Sequence, residues 1–422
     1  MFIRRAVIRN VRSIEKLEWT PLYKPQAGWH VILGDNGSGK SSFLRSLSLA
    51  LVGPNEAIAA RQDWSTWVRS GADWGWVQVD IMRDPKYDCF SGKGSTTDVV
   101  SAKVEISRSE NPRRMKTANT PAERHVWGTG GGWFSAAYGP FRRFTGGDKE
   151  AERSFLSSPK LGAHISVFGE NVSLSESLEW LRELNYKRLE QEHSPEGRLL
   201  THLRHFVNQD GFLPHHIKLK EVSSNGVEFE DANGFPVAVE ELSDGYRSIL
   251  SMTFELIRQL SRAYPGKNIF DDESRQVIVP GVVMIDEIDA HLHPTWQKKI
   301  GFWLTEHFPN LQFIVTTHSP LICQAAVRGS IYRLPTPGMD ESGHMLGGTD
   351  RDRLLYGDIL DAYSTEAFGP SALRSTEAHE MQQRLAALNI KELDRELSAK
   401  EKAEQERLRA AFPTSPHTVS SR

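Results

Sequence analysis

The eight residues Gly34-Asp35-Asn36-Gly37-Ser38-Gly39-Lys40-Ser41 restrict this chain more than any other feature. Two glycines bracket four residues, and a lysine and a hydroxyl follow, which is the spacing of a phosphate-binding loop. The flanks supply the setting such a loop needs. Trp29-His30-Val31-Ile32-Leu33 is a short apolar run that reads as a buried strand, and Ser42 to Leu51 places Phe43, Leu44, Leu47 and Leu51 on one helical face. Glycines let consecutive backbone N–H groups turn inward on phosphate oxygens, and the helix N-terminus adds positive potential. Lys40 is then placed for β- and γ-phosphates and Ser41 for Mg²⁺, while Asn36, Gly37, Ser38, Gly39 and Ser42 complete the expected cradle. The plainer reading is an ordinary glycine turn before a helix; the flanking strand and helix weigh against it.

A chain of 422 residues suggests two or three lobes, and 39% hydrophobic with 25% charged residues suits a soluble globular protein. The net charge of −3 does not advertise nucleic-acid binding. Cys89 and Cys323 lack metal-ligand spacing and are expected as buried thiols in a reducing compartment. No apolar run reaches the length of a membrane span and no signal-peptide core is visible, so the expected location is cytoplasmic.

Residues 2–19 alternate as two strands around a turn near Arg9 to Ser13, expected beside the phosphate-loop strand. Residues 76–82 and 101–106 alternate as half-buried antiparallel strands, and 133–138 reads as a buried strand. From Glu150 to about Phe212 the spacing of Leu178, Leu181, Leu184, Leu189, Leu199, Leu200, Leu203 and Phe206 is helical. Short strands follow within 217–240, then a helix over about 244–263, a strand over 277–285, a helix over 294–307, a strand over 311–317 and a helix near 320–326. That alternation is the pattern of a parallel sheet covered by helices. Ser371 to Ala411 reads as a charged helical tail.

Val282-Val283-Met284-Ile285 ends in Asp286-Glu287, and Gln312 to Thr317 ends in His318. Polar groups at the C-terminal ends of apolar strands lie where open α/β sheets bind ligands. Asp286 is expected to hold Mg²⁺ through water, Glu287 to polarise an attacking water and His318 to touch the γ-phosphate; a structural histidine is the alternative for His318. Between them, Leu242-Ser243-Asp244-Gly245-Tyr246 opens the long apolar-faced helix, with Ser243 as its cap and a second anion site.

The phosphate loop, serine-glycine turn, Asp-Glu pair and strand-end histidine, in that order, resemble the ABC-type ATPase head of chromosome-maintenance (SMC), recombination-repair and overcoming-lysogenization-defect (OLD) proteins. Asp289-Ala290-His291-Leu292-His293-Pro294 resembles the short-insert branch. The likeness covers residues 1–52 and about 240–325. It implies an α/β head with a mainly parallel phosphate-loop sheet, an antiparallel β-subdomain and a helical lobe, followed by a helical tail. The expected divisions are 1–149 (phosphate loop and antiparallel subdomain), 150–240 (helical lobe and short strands), 241–335 (signature turn, acidic strand and strand-end histidine) and 336–422 (tail, a candidate partner-docking surface). It also implies that two heads meet head-to-tail around two ATP molecules, each lending Ser243 and Gly245 to its neighbour, and that Arg12 approaches the adenine.

Some signals depart from the family or stay open. The glutamine that the family carries after the phosphate loop has no clear counterpart: Gln78 falls in an antiparallel strand, and Tyr138 or Arg142 is the candidate substitute, against a plain strand end. Asp289, His291 and His293 have the wrong spacing for a helical metal site. Arg113, Arg114, Lys116 and Arg124 fit either nucleic acid or a solvated face. The helical segment is too short for a long coiled coil and lacks a Cys-X-X-Cys hook, and the region after His318 lacks the acidic pattern of a fused nuclease. The resemblance is strongest to the PtuA-type ATPases of Septu and retron antiphage systems. It implies an HNH nuclease partner of the PtuB kind, with a retron reverse transcriptase and its msDNA, or other nucleic acid, as further candidate partners. The alternative is a DNA-repair or recombination ATPase acting without a nuclease.

Overall fold

The computed structural model describes residues 1–21, 26–60, 62–88, 98–108, 115–117, 120–127, 132–140, 159–168, 176–209, 213, 217–224, 226–242, 244–339, 341–368 and 376–412. The strands are β1 (Phe2–Val11), β2 (Ile14–Trp19), β3 (Gly28–Leu33), β4 (Trp74–Met82), β5 (Val99–Ser107), β6 (Met115–Thr117), β7 (Ser135–Tyr138), β8 (Lys218–Ser223), β9 (Gly226–Glu230), β10 (Pro236–Ala238), β11 (Gly281–Ile285), β12 (Leu311–Thr317), β13 (Gly329–Arg333) and β14 (His344–Met345). The principal helices are α1 (Lys40–Val52), α2 (Glu176–Glu190), α3 (Pro195–Val207), α4 (Asp244–Ala263), α5 (Pro294–His307), α6 (Thr376–Asp394) and α7 (Ala399–Ala411). The chain divides into two compact units, Met1–Gly357 and Asp358–Arg422.

In the first unit a six-stranded sheet runs β14-β13-β3-β12-β11-β7, parallel except for the β13–β14 pair. Every residue of β3, β11 and β12 is buried, which is why these strands read as mainly apolar runs, broken only by His30 in β3 and by Gln312, Thr316 and Thr317 in β12. A five-stranded antiparallel sheet, β2-β1-β4-β5-β6, lies on the other side of α1. Its strands β4 and β5 bury alternate residues. The α1 face formed by Phe43, Leu44, Leu47 and Leu51 shares one core with Val77, Val79 and Ile81 of β4 and with Ile32, Met284 and Ile314 of the six-stranded sheet. Each such side chain contributes roughly 1.5–3 kcal/mol on burial.

The expectation that β1 and β2 flank the phosphate-loop strand is corrected. They pair with each other and with β4, and the two sheets are joined instead through one buried glutamine. Gln312, inside β12, accepts a hydrogen bond from the Ile3 N–H (2.7 Å) and donates one to the Ile3 carbonyl (2.9 Å). The register of β1 against β4 shifts between Ile3 and Arg5, so the Ile3 peptide is turned toward this side-chain clamp.

The helical stretch resolves into α2 and α3, an adjacent pair with Leu181, Leu184, Leu200, Leu203 and Phe206 buried, whereas Leu189 is exposed. Ser194 caps α3 by accepting from the Gly197 N–H at 3.0 Å. β8, β9 and β10 form a small antiparallel sheet. The strand expected over 277–285 begins at Gly281, because Val277 is bridged to Phe270 instead, and the helix expected near 320–326 shortens to Pro320–Cys323. Cys323 is buried, and burial raises its thiol pKa; Cys89 lies outside the described residues.

Within the second unit α6 and α7 form an antiparallel hairpin around Leu385, Leu388, Leu397 and Leu408. Arg384–Glu404 (3.1 Å), Arg409–Glu392 (2.9 Å) and Lys391–Glu401 link the two helices, and Ser398 with Glu401 makes a capping box at the start of α7. No helix among the described residues is long and apolar enough to cross a membrane.

Candidate functional site

The strand order β3-β12-β11 sets three loop ends side by side at the C-terminal edge of the parallel sheet: the glycine loop after β3, His318 after β12 and Asp286-Glu287 after β11. This is where open α/β sheets place ligands.

The glycine loop turns tightly, with the Ser38 N–H donating to the Asp35 carbonyl (3.1 Å). Gly39 has φ 101°, and a Cβ there would lie 2.8 Å from Ser13 Oγ in the β1–β2 turn. Only glycine meets both demands. Lys40 is the first residue of α1, and its ammonium donates to the Gly34 and Asp35 carbonyls (2.7 and 3.0 Å). Burial lowers the Lys40 pKa, opposed by the charges of Asp286, Glu287, Asp35 and Asp289. Ser38 Oγ is buried without a partner in the described structure, and so is Arg12 Nη1. Arg12, at φ 52°, lies over the Trp67 ring (5.2 Å) with its pKa lowered by burial and by the neighbouring Arg45. A buried ammonium, two neighbouring guanidiniums, an unused hydroxyl and a helix N-terminus are what a polyphosphate needs. Asn36 and Gly37 are exposed, and Ser41 and Ser42 are half-buried in the first turn of α1.

The acidic half is held by two threonines. Thr316 Oγ1 donates to Asp286 Oδ1 (2.6 Å) and accepts from the Glu287 N–H (2.8 Å), while Thr317 Oγ1 donates to Asp289 Oδ1 (2.6 Å). The Asp286 N–H donates to the Tyr138 carbonyl at the tip of β7 (2.8 Å). Glu287 has φ 46°, a left-handed conformation for a residue with a side chain, of the kind that clusters at functional sites. The Asp286 carboxylate draws on Arg45 as well as Lys40, which ties α1 to β11 from two directions. Together these groups fit a divalent cation and an anionic ligand: Ser41 and Asp286 would hold the metal. His318 is exposed at the end of β12; partial burial, then the Lys40 charge, hold its pKa below the ordinary value.

Sequence reading named Asp286, Glu287 and His318, and named Asp289 only in its family segment and as a poor metal candidate, but passed over Thr316, Thr317 and Arg45. The threonines carried only a weak signal: two hydroxyls close the buried strand β12. Tyr138 supplies a carbonyl to the site, while its ring is buried and its pKa is raised by burial and by Glu255 on α4. Gln78 sits in β4, donating to Asp80 Oδ1 at 3.0 Å, and belongs to the antiparallel sheet as expected. Arg142, Arg113 and Arg114 lie outside the described residues, as does Ser243. Gly245 opens α4, and a Cβ on it would come within 3.0 Å of the His291 carbonyl oxygen. His293 caps α5, accepting from the Thr295 N–H at 3.3 Å, and no metal-type cluster of His, Cys, Asp and Glu occurs among the described residues.

A family described as "AAA domain, putative AbiEii toxin, Type IV TA system" matches residues 106–324, slightly more than half of the chain. The chain belongs to this AAA-domain family. Among individual relatives, the Septu protein PtuA of Bacillus mycoides (strain KBAB4) is 27% identical over 338 residues, covering 78% of this chain and 40% of the relative. A retron Ec83 probable ATPase of Escherichia coli is 40% identical over 105 residues, 25% of this chain and 18% of the relative. The Septu protein PtuA of Bacillus thuringiensis is 34% identical over 133 residues, 31% of this chain and 32% of the relative. The chain thus spans two fifths or less of the length of these relatives. A solved SMC head bound to the C-terminal winged-helix domain of ScpA superposes with TM-score 0.50 at 16% identity, covering 82% of this chain and 98% of that one. That likeness concerns the fold. The fold of this AAA-domain family member is therefore that of an SMC-type head.

Proposed function

We propose that this chain binds and hydrolyses ATP at the Lys40 cradle, as the head of a PtuA-type antiphage defence ATPase. The convergence of Lys40, Asp286, Glu287, Asp289 and His318 at adjacent strand tips carries this reading. Lys40, Ser38 and the amides of the glycine loop bind phosphate oxygens, and Arg12 approaches the adenine. Glu287 orients the attacking water and accepts its proton, and His318 donates a hydrogen bond to the γ-phosphate. A Mg²⁺ ion bound by Ser41 and Asp286 would neutralise charge on the phosphates.

Two heads assemble head-to-tail, each offering Ser243 and Gly245 to the nucleotide of the other. The relatives named for Septu and retron systems support a defence role, in which the ATP state governs an HNH nuclease partner. The test uses Glu287→Gln. With ATP and Mg²⁺ the variant should bind nucleotide, lose at least 100-fold in turnover and accumulate as a dimer. Unchanged turnover would overturn the assignment. Co-purification from the native host should recover a nuclease; recovery of the head alone, with ATPase activity stimulated by DNA, would favour the repair reading.

A further inference from the structure

Two features flank the proposed head-to-tail seam. The first is a cavity of about 280 Å³ beside the start of α4, lined by Gly245, Tyr246, Ile249, His291, Leu292 and Trp296. Its aromatic walls, Tyr246 and Trp296, stand edge to face with centroids 6.4 Å apart. The second is the turn between β13 and β14. Pro337 of this turn lies 3.9 Å from where a Cβ on Gly37 would be, so the turn borders the phosphate loop. Its tip presents Met339, which is 67% exposed. The tip is braced: the Met339 N–H donates to the Thr336 carbonyl (3.1 Å), the Thr336 N–H to Glu341 Oε1 (2.7 Å) and Arg333 Nη2 to Thr336 Oγ1 (3.2 Å).

We infer that Met339 of each protomer enters the Tyr246–Trp296 cavity of a second copy of this chain, forming an apolar latch beside each composite nucleotide site. The inference rests on the head-to-tail reading, which brings the glycine loop of one head against the α4 start of another. The loop carries the Met339 turn at its side, and the α4 start carries the cavity. Methionine suits such a socket, since its unbranched, polarisable thioether packs against aromatic edges. In a two-fold assembly the contact occurs twice, so one substitution removes both copies.

The test is made in the Glu287→Gln background with ATP and Mg²⁺, reading dimer formation by light scattering and cross-linking. Met339→Asp should weaken dimerisation at least tenfold, and Met339→Leu should weaken it less than threefold. Both should melt like the parent, because the side chain is exposed. A Met339→Cys, Tyr246→Cys double variant should be joined between protomers by a short bis-maleimide when ATP is present, and neither single variant should be. A dimer that forms normally in the parent, resists Met339→Asp and yields no such cross-link would overturn the latch and leave the head-to-tail reading standing. A parent that stays monomeric with ATP would remove that reading, and the latch with it.

Discussion

Replacing Thr316 by valine tests how the acidic half of the site is held. The change keeps the shape of the side chain and deletes a hydroxyl that makes two contacts, one to Asp286 Oδ1 (2.6 Å) and one from the Glu287 N–H (2.8 Å). The first is a hydrogen bond to a buried carboxylate, a type worth about 1.5–3 kcal/mol, and loss of an amide's acceptor costs about 1–3 kcal/mol. Part of this is recovered by relaxation, so a stability loss of about 2–4 kcal/mol is expected. The catalytic loss should be larger than the stability loss suggests. Glu287 holds a left-handed backbone that Thr316 helps fix, and a shift of about 1 Å in a catalytic group costs on the order of 100-fold in rate. Steady-state phosphate release and urea unfolding are measured on Thr316→Val and on Thr316→Ser, which restores the hydroxyl. Turnover within threefold of the parent in a folded Thr316→Val protein would refute the reasoning, as would failure of serine to rescue.

Lys40→Met should abolish detectable nucleotide binding by calorimetry while leaving the melting temperature equal or higher, because a desolvated ammonium is replaced by an apolar chain of similar length. Gln312→Leu strips both partners from the Ile3 peptide and should lower unfolding free energy by about 2–4 kcal/mol in a chemical-denaturation titration. Acid should also weaken the head. Burial lowers the His30 pKa from 6.5 to about 4, so the unfolded chain takes up this proton first; stability is complete above about pH 6.5 and falls as pH drops toward 4, by about 3 kcal/mol at that site. His164, lowered to about 3 by burial, acts in the same direction, and melting curves between pH 7 and 4.5 check the slope.

The readable parts of the molecule were those with a local signature. The glycine spacing and the mainly apolar runs ending in Asp286 and His318 were each legible locally, and the fold brings all three to adjacent strand tips. The helices Asp244–Ala263 and Pro294–His307 and the strand Leu311–Thr317 have the predicted ends, since apolar periodicity marks them and, for Pro294–His307, His293 caps the start. The placement of β1 and β2 was not legible. Alternation says that a strand is half-covered, not which sheet covers it, and the deciding contact, Gln312 with Ile3, spans 309 residues. The roles of Thr316, Arg45 and Asp289 were hidden for a related reason. A threonine next to apolar residues looks like any β-former until the neighbouring strand is known.

The position of β3 between β12 and β13 has a consequence for biosynthesis. Residues 28–33 leave the ribosome early, yet their hydrogen-bonding neighbours are 311–317 and 329–333, almost 300 residues later. Throughout that interval the nascent polypeptide carries an apolar strand with neither edge covered, a state that invites aggregation and chaperone capture. Translation pauses or truncations before residue 317 should therefore send this product to insoluble material, whereas those falling after Met345 leave the whole central sheet able to close.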